Sequence, residues 1–172
     1  VPLSDDDFTL FALPRRFAID TDALDARRRA LQSQVHPDRF AADGAAAQRA
    51  AMQWSMRVNE AYRRLRDPLL RAATLCELSG VPVDLHDNTA MPPAFLMQQL
   101  AWREALDEAR DLAAVEAIDG AVESARREML AQLARQIDDE GDMAAAARTV
   151  RALMFVARFR DDLASRLDAL GQ

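Results

Sequence analysis

The chain contains no lysine: all 22 of its basic side chains are arginine. It has one cysteine, two histidines and five glycines in 172 residues. A single cysteine excludes an internal disulfide and fits a reducing cytoplasm. One thiol and two imidazoles are too few to build a zinc site or to hold an iron–sulfur cluster, so neither a metal nor a cofactor is expected. Few glycines among many alanines and leucines favour an all-α fold. No run approaches the ~18 apolar residues of a membrane span. Val1 to Asp7 are acidic and carry no signal-peptide pattern.

What is present is ordinary for a folded protein: 50% apolar and 29% charged residues, in a chain long enough for one domain or two small ones. The net charge of −6 conceals an asymmetry. Residues 26–66 hold nine arginines against Asp38, Asp43 and Glu60, whereas residues 90–172 hold ten arginines against fifteen carboxylates. A basic first half and an acidic second half suggest two surfaces with different partners. The basic half lacks a nucleic-acid recognition motif and the chain is acidic overall, so nucleic acid is not the expected partner.

The periodicity predicts helices separated by explicit stops. Asp5–Asp7 precede Phe8, Leu10, Phe11 and Leu13, a short capped helix ended by Pro14. Asp20 or Thr21 can cap a helix over about 22–35, with Leu24, Leu31 and Val35 on one stripe and Arg28 at its border. A longer helix is predicted from about Gly44 to Leu65, its stripe being Ala51, Trp54, Val58, Ala61, Tyr62 and Leu65. Asp67-Pro68 ends it and starts another, which stops at Gly80. Pro82, Pro92 and Pro93 mark residues 80–92 as a linker between a domain over 1–79 and another over 93–172. The second reads as an antiparallel three-helix bundle, with helices over about 93–110, 112–139 and 143–170. Its middle helix is expected to turn Val115, Ile118, Val122, Met129, Leu133 and Ile137 inward, and its last helix Val150, Leu153, Met154 and Ala157.

The first two long helices form a hairpin with His36-Pro37-Asp38 at its tip. Pro37 has no amide hydrogen and pushes His36 out of the α region. Asp38 favours turns over helix interiors. An exposed imidazole and carboxylate side by side, with Arg39 next to them, are the expected result. Chance would spell this tripeptide in about one chain in a hundred of this length.

Residues 54–72 read Trp-Ser-Met-Arg-Val-Asn-Glu-Ala-Tyr-Arg-Arg-Leu-Arg-Asp-Pro-Leu-Leu-Arg-Ala. With the His-Pro-Asp loop ahead of it, this segment resembles the J-domain of DnaJ-type co-chaperones at Asn59, Glu60, Ala61, Tyr62, Leu65, Asp67, Pro68, Arg71 and Ala72. The resemblance implies docking on a DnaK-type chaperone and stimulation of its ATPase, through His36, Pro37 and Asp38 with Arg28, Arg29 and Arg39. Val35 and Gln34 stand where that family commonly has an aromatic residue and a lysine. Phe8–Pro14, the run Ala94–Glu108 and Val150–Phe155 resemble the HscB family, the J-domain co-chaperones of iron–sulfur cluster assembly. That resemblance implies the chaperone HscA and the scaffold protein IscU as partners. It maps a scaffold-binding patch onto Leu96, Met97, Leu100, Glu104, Glu108 and Phe155, with Ala101 where a glutamate is usual.

Helical spacing by itself puts Met97, Leu100, Glu104 and Glu108 on one face, which suits an interface with an apolar centre and a charged rim. The same spacing also suits Leu96, Met97 and Leu100 as bundle core. Phe155 lies off the expected stripe of the last helix, while Phe159 one turn on could draw both rings inside. Other readings compete with the adaptor. One is a J-domain protein with a different client. Another is a helical enzyme using His36 and Asp38, although no nucleophile turn or phosphate loop accompanies them. Cys76 with His86 is a conceivable thiol–imidazole pair, set against an apolar context that suits a buried, inert cysteine.

Overall fold

The start of every long helix is fixed by a carboxylate, a glycine or a proline that the chain supplies locally. In the computed structural model, which describes residues 3–83 and 91–171, α1 spans Asp7–Leu10, α2 Thr21–Val35, α3 Ala45–Arg66, α4 Pro68–Leu78, α5 Pro93–Glu108, α6 Leu112–Ala134 and α7 Met143–Leu170. The Asp6 carboxylate accepts the Thr9 amide hydrogen, and that of Asp20 accepts those of Asp22 and Ala23. Asp111 caps α6 and Asp142 caps α7 in the same way. Each satisfies an amide that the first helical turn leaves without a partner. Asp67 is extended because Pro68 follows, and its carboxylate then accepts from Leu69 and Leu70. Gly141, with φ of +65°, turns the chain from the end of α6 toward α7, a conformation that a side chain would strain. No strand occurs among the described residues.

The chain divides into two compact units, Val1–Leu75 and Cys76–Gln172. The linker assigned to 80–92 includes residues 84–90, which lie outside the described residues, as does His86.

In the first unit α2 and α3 form the hairpin, and Phe8, Leu10, Phe11, Leu24, Leu31, Val58 and Leu65 fill its interior. Trp54, Tyr62 and Val35, at the borders of their stripes, are half-buried. Asp7 is only 4% exposed and accepts from Arg57 at 2.8 Å and from Arg64 at 2.6 and 2.9 Å. Burial alone would raise its pKa, but the hydrogen bonds and charges of Arg64 and Arg57 outweigh that and hold it below the ordinary carboxylate value. These contacts tie α1 to α3. Arg71 clamps the α3–α4 corner: it donates to the Leu65 carbonyl at 2.7 Å and lies over the Phe17 ring.

In the second unit α5, α6 and α7 make the bundle, with Trp102, Leu106, Val115, Val122, Val156, Phe159 and Leu163 inside. Of the expected inward positions, Ile118, Met129, Ile137 and Met154 are half-buried, and one, Ala157, is corrected. The last turn of the middle helix, Arg135–Asp139, is a π-turn. Its wider winding shifts the register, so Gln136 is buried and Ile137 only half-buried. The Gln136 side-chain oxygen lies 2.9 Å from the Thr149 hydroxyl, which donates to it. In α7 the interior stripe advances through Leu153, Val156 and Phe159, and Ala157 is exposed. A helical stripe can step by three or by four, and the larger side chains take the inside. Cys76 is fully buried, and burial pushes its thiol up to about 11, which suppresses the reactive thiolate.

Candidate functional site

The tip of the α2–α3 hairpin is built from three adjacent residues. His36 ends α2 in an extended conformation, φ −61° and ψ 130°, because Pro37 follows it. Pro37–Phe40 then form one turn of 3-10 helix. Its first amide is closed locally: the Asp38 N–H donates to His36 Nδ1 at 3.3 Å. The Asp38 carboxylate lies 3.5 Å from the same nitrogen, and the two side chains are 92% and 58% exposed respectively. Arg39 donates to the Ser33 carbonyl at 3.0 Å, which ties the turn back to α2. A polar pair so open to water has no shaped cavity around it, and its chemistry suits recognition by another surface better than proton transfer.

The hairpin beneath the turn is braced by side chains from the motif in α3. Gln32 donates to Asn59 at 2.8 Å across the two helices, and the Tyr62 hydroxyl donates to Asp25 at 2.7 Å. Arg28 is half-buried with its guanidinium 4.2 Å from the centre of the Tyr62 ring. It occupies a border position, stem packed and charge against an aromatic face. Arg29 is exposed beside it. Of the nine arginines in the basic stretch, Arg57 and Arg64 are therefore internal to the fold. No local pattern signals this, since Asp7 lies 50 and 57 residues away.

The second unit presents a different kind of surface. Leu96, Met97 and Leu100 are 44%, 70% and 62% exposed. They are not bundle core. Glu104 and Glu108 are exposed on the same side of α5, and so is Ala101. From α7, half-buried Phe155 joins Leu96 and Leu100 in the wall of a groove of about 540 Å³. Phe159 lies at its floor, stacked on Trp102 with ring centres 6.0 Å apart. The described structure thus gathers residues from two helices that the chain separates by more than fifty positions. Sequence reasoning missed two arginines of this groove, Arg103 and Arg158, and the exposed pair Met52 and Met56 on α3. The methionines were legible in principle, since their four-residue spacing lies off the buried stripe of α3.

A helical hairpin displaying His-Pro-Asp at its tip, followed by a helical bundle with an exposed apolar face, defines a two-part co-chaperone of the J-domain type. The comparisons narrow the class. Residues 91–164 match the family model described as the HSCB C-terminal oligomerisation domain. The chain is 56% identical over 163 residues to a co-chaperone protein HscB homolog of Bordetella petrii, covering 94% of this chain and 96% of that one. It is similar in structure to chaperone HscB from Vibrio cholerae, with 35% identity, a TM-score of 0.84 and 96% and 99% of the two chains covered. Human co-chaperone protein HscB superposes with a TM-score of 0.91 at 25% identity, over 96% and 84%. The chain belongs to the HscB family of co-chaperones.

Proposed function

We propose that the chain is an adaptor in iron–sulfur cluster assembly, working in the cytoplasm and carrying no catalytic step of its own. The J-domain, residues 1–79, docks on the DnaK-type chaperone HscA through His36, Pro37, Asp38, Arg29 and Arg39 and stimulates its ATP hydrolysis. Arg28 contributes charge from its place on the Tyr62 ring. The bundle, residues 93–172, holds the scaffold IscU on Leu96, Met97, Leu100, Glu104, Glu108 and Phe155, and the segment 80–92 joins the two. The cluster is cargo carried by the scaffold, not a resident group of this chain.

One observation carries the reading. Three large apolar side chains of α5 stand in water although the same helix already fills the bundle interior with Trp102 and Leu106. Apolar surface gathered this way, with carboxylates at its edge, marks a partner site on a soluble fold. The exposed His-Pro-Asp turn offers the second contact, and membership of the HscB family supports a chaperone and a cluster scaffold as the partners. The test is retention of IscU and HscA together on the immobilised chain, with His36→Gln losing ATPase stimulation and keeping IscU. Retention of neither protein would end the proposal.

A further inference from the structure

The groove between α5 and α7 is apolar on its floor and carries two cations at its edge, and these are not equivalent. Arg103 sits with its guanidinium 5.0 Å from the Phe159 ring centre and donates to Asp162 at 2.8 Å, so its charge is met within the fold. Arg158 lies 5.5 Å from the Phe155 ring centre and is exposed. It has no ion-pair partner among the described residues, although Asp161 and Asp162 lie three and four positions further along α7. Asp162 is occupied by Arg103. An exposed arginine whose guanidinium lies beside an aromatic wall has its donors open to a partner and loses less freedom when it pairs than one free in water.

We propose that Arg158 is the groove's receptor for a carboxylate on the bound scaffold protein. The matching surface carries an apolar side chain that enters the groove over Phe155 and Leu100, with an aspartate or glutamate next to it that reaches Arg158. Charge complementarity selects this occupant. An apolar segment without an acid would desolvate an unpaired cation, and one with a base there would be repelled. Glu104 and Glu108, further along the exposed face of α5, present the opposite sign. The site therefore has a polarity that fixes the direction in which the partner lies. This rests on the reading of the bundle as the scaffold-binding half, and it adds the residue that sets register and specificity.

The experiment measures IscU affinity of the full chain and of Arg158→Gln, Arg158→Glu and Met97→Ala at low and at physiological salt. Arg158→Glu should weaken binding by about tenfold at low salt, Arg158→Gln by about threefold, and added salt should narrow both gaps. Helicity and the HscA stimulation obtained without scaffold should stay at the parent level in each variant. Equal, salt-independent losses in the two Arg158 variants would mean packing on Phe155 alone and would overturn the assignment. So would parent-like affinity in Arg158→Glu while Met97→Ala binds weakly, which leaves the scaffold reading intact. A parent chain that does not bind IscU at all overturns both.

Discussion

The two units place their charged side chains differently. In the first, Asp7 is buried between Arg57 and Arg64, Arg71 is buried against Leu65 and Phe17, and Arg28 lies on Tyr62. Charge there braces the hairpin that carries the His36-Pro37-Asp38 turn at its tip. In the second, the interior is apolar apart from a few residues such as Gln136, Thr149 and Arg151, and large apolar side chains are left outside on α5. A basic stretch is thus not by itself a basic docking surface, and an apolar stretch is not by itself core. The polar tip needs orientation, because hydrogen bonds and charge pairs are directional. The apolar groove needs area, because hydrophobic attraction scales with surface removed from water.

The sharpest test of this contrast is His36→Gln. It should abolish stimulation of HscA, measured as steady-state ATP hydrolysis. It should change the unfolding free energy by no more than about 0.5 kcal/mol, since an exposed turn has little packing to lose.

Next in size is a comparison within α5. Trp102→Ala should destabilise by about 3–5 kcal/mol through lost transfer energy and a cavity. Met97→Ala should change stability by less than about 0.5 kcal/mol. In IscU binding, Met97→Ala combined with Phe155→Ala should cost at least about 2 kcal/mol, because apolar anchors dominate interfaces. Half-buried Phe155 should itself cost about 1–2 kcal/mol of stability, measurable by urea titration. A large stability loss in Met97→Ala would erase the distinction between the two faces.

The internal ion cluster gives a smaller effect and a pH signature. Asp7→Asn should destabilise by about 2–3 kcal/mol at neutral pH, less than a fully buried pair would, because both arginines retain some exposure. The folded-state pKa of Asp7 is depressed, and that of Asp6 is lowered from 3.8 to about 2 by hydrogen bonds and the charge of Arg15 that outweigh desolvation. Stability from such groups is fully present above their unfolded pKa and is lost as pH falls through the folded one. The parent should therefore weaken as pH drops below about 4, and Asp7→Asn should weaken less over that range. Parallel acid titrations would show that the cluster has no bearing on acid stability.

The smallest effect concerns the exposed charges. Arg29→Glu should lower chaperone stimulation at low salt, and the gap should narrow as salt rises past the level where the screening length is about 8 Å. A gap unaffected by salt would indicate shape rather than charge.

Chain-local physics determined the helices, their caps and the tip. Proline, aspartate and glycine act on neighbouring dihedrals and amides, so Asp20, Asp67, Gly80 and the His36-Pro37-Asp38 turn were legible without a partner in space. Motif spacing likewise carried the family. What the chain could not decide was which side of a helix faces inward. At ~100° per residue, Leu100 lies roughly 160° around α5 from Trp102, so this helix has two apolar stripes of similar strength. Only the neighbours packed on Trp102 and Leu106 leave Leu96, Met97 and Leu100 outside. In the same way tertiary packing chose Val156 and Phe159 over Ala157 in α7, let the π-turn bring Gln136 inside, and joined Asp7 to arginines 50 and 57 residues away. Burial and ion pairing depend on where other elements lie, and periodicity contains no record of that.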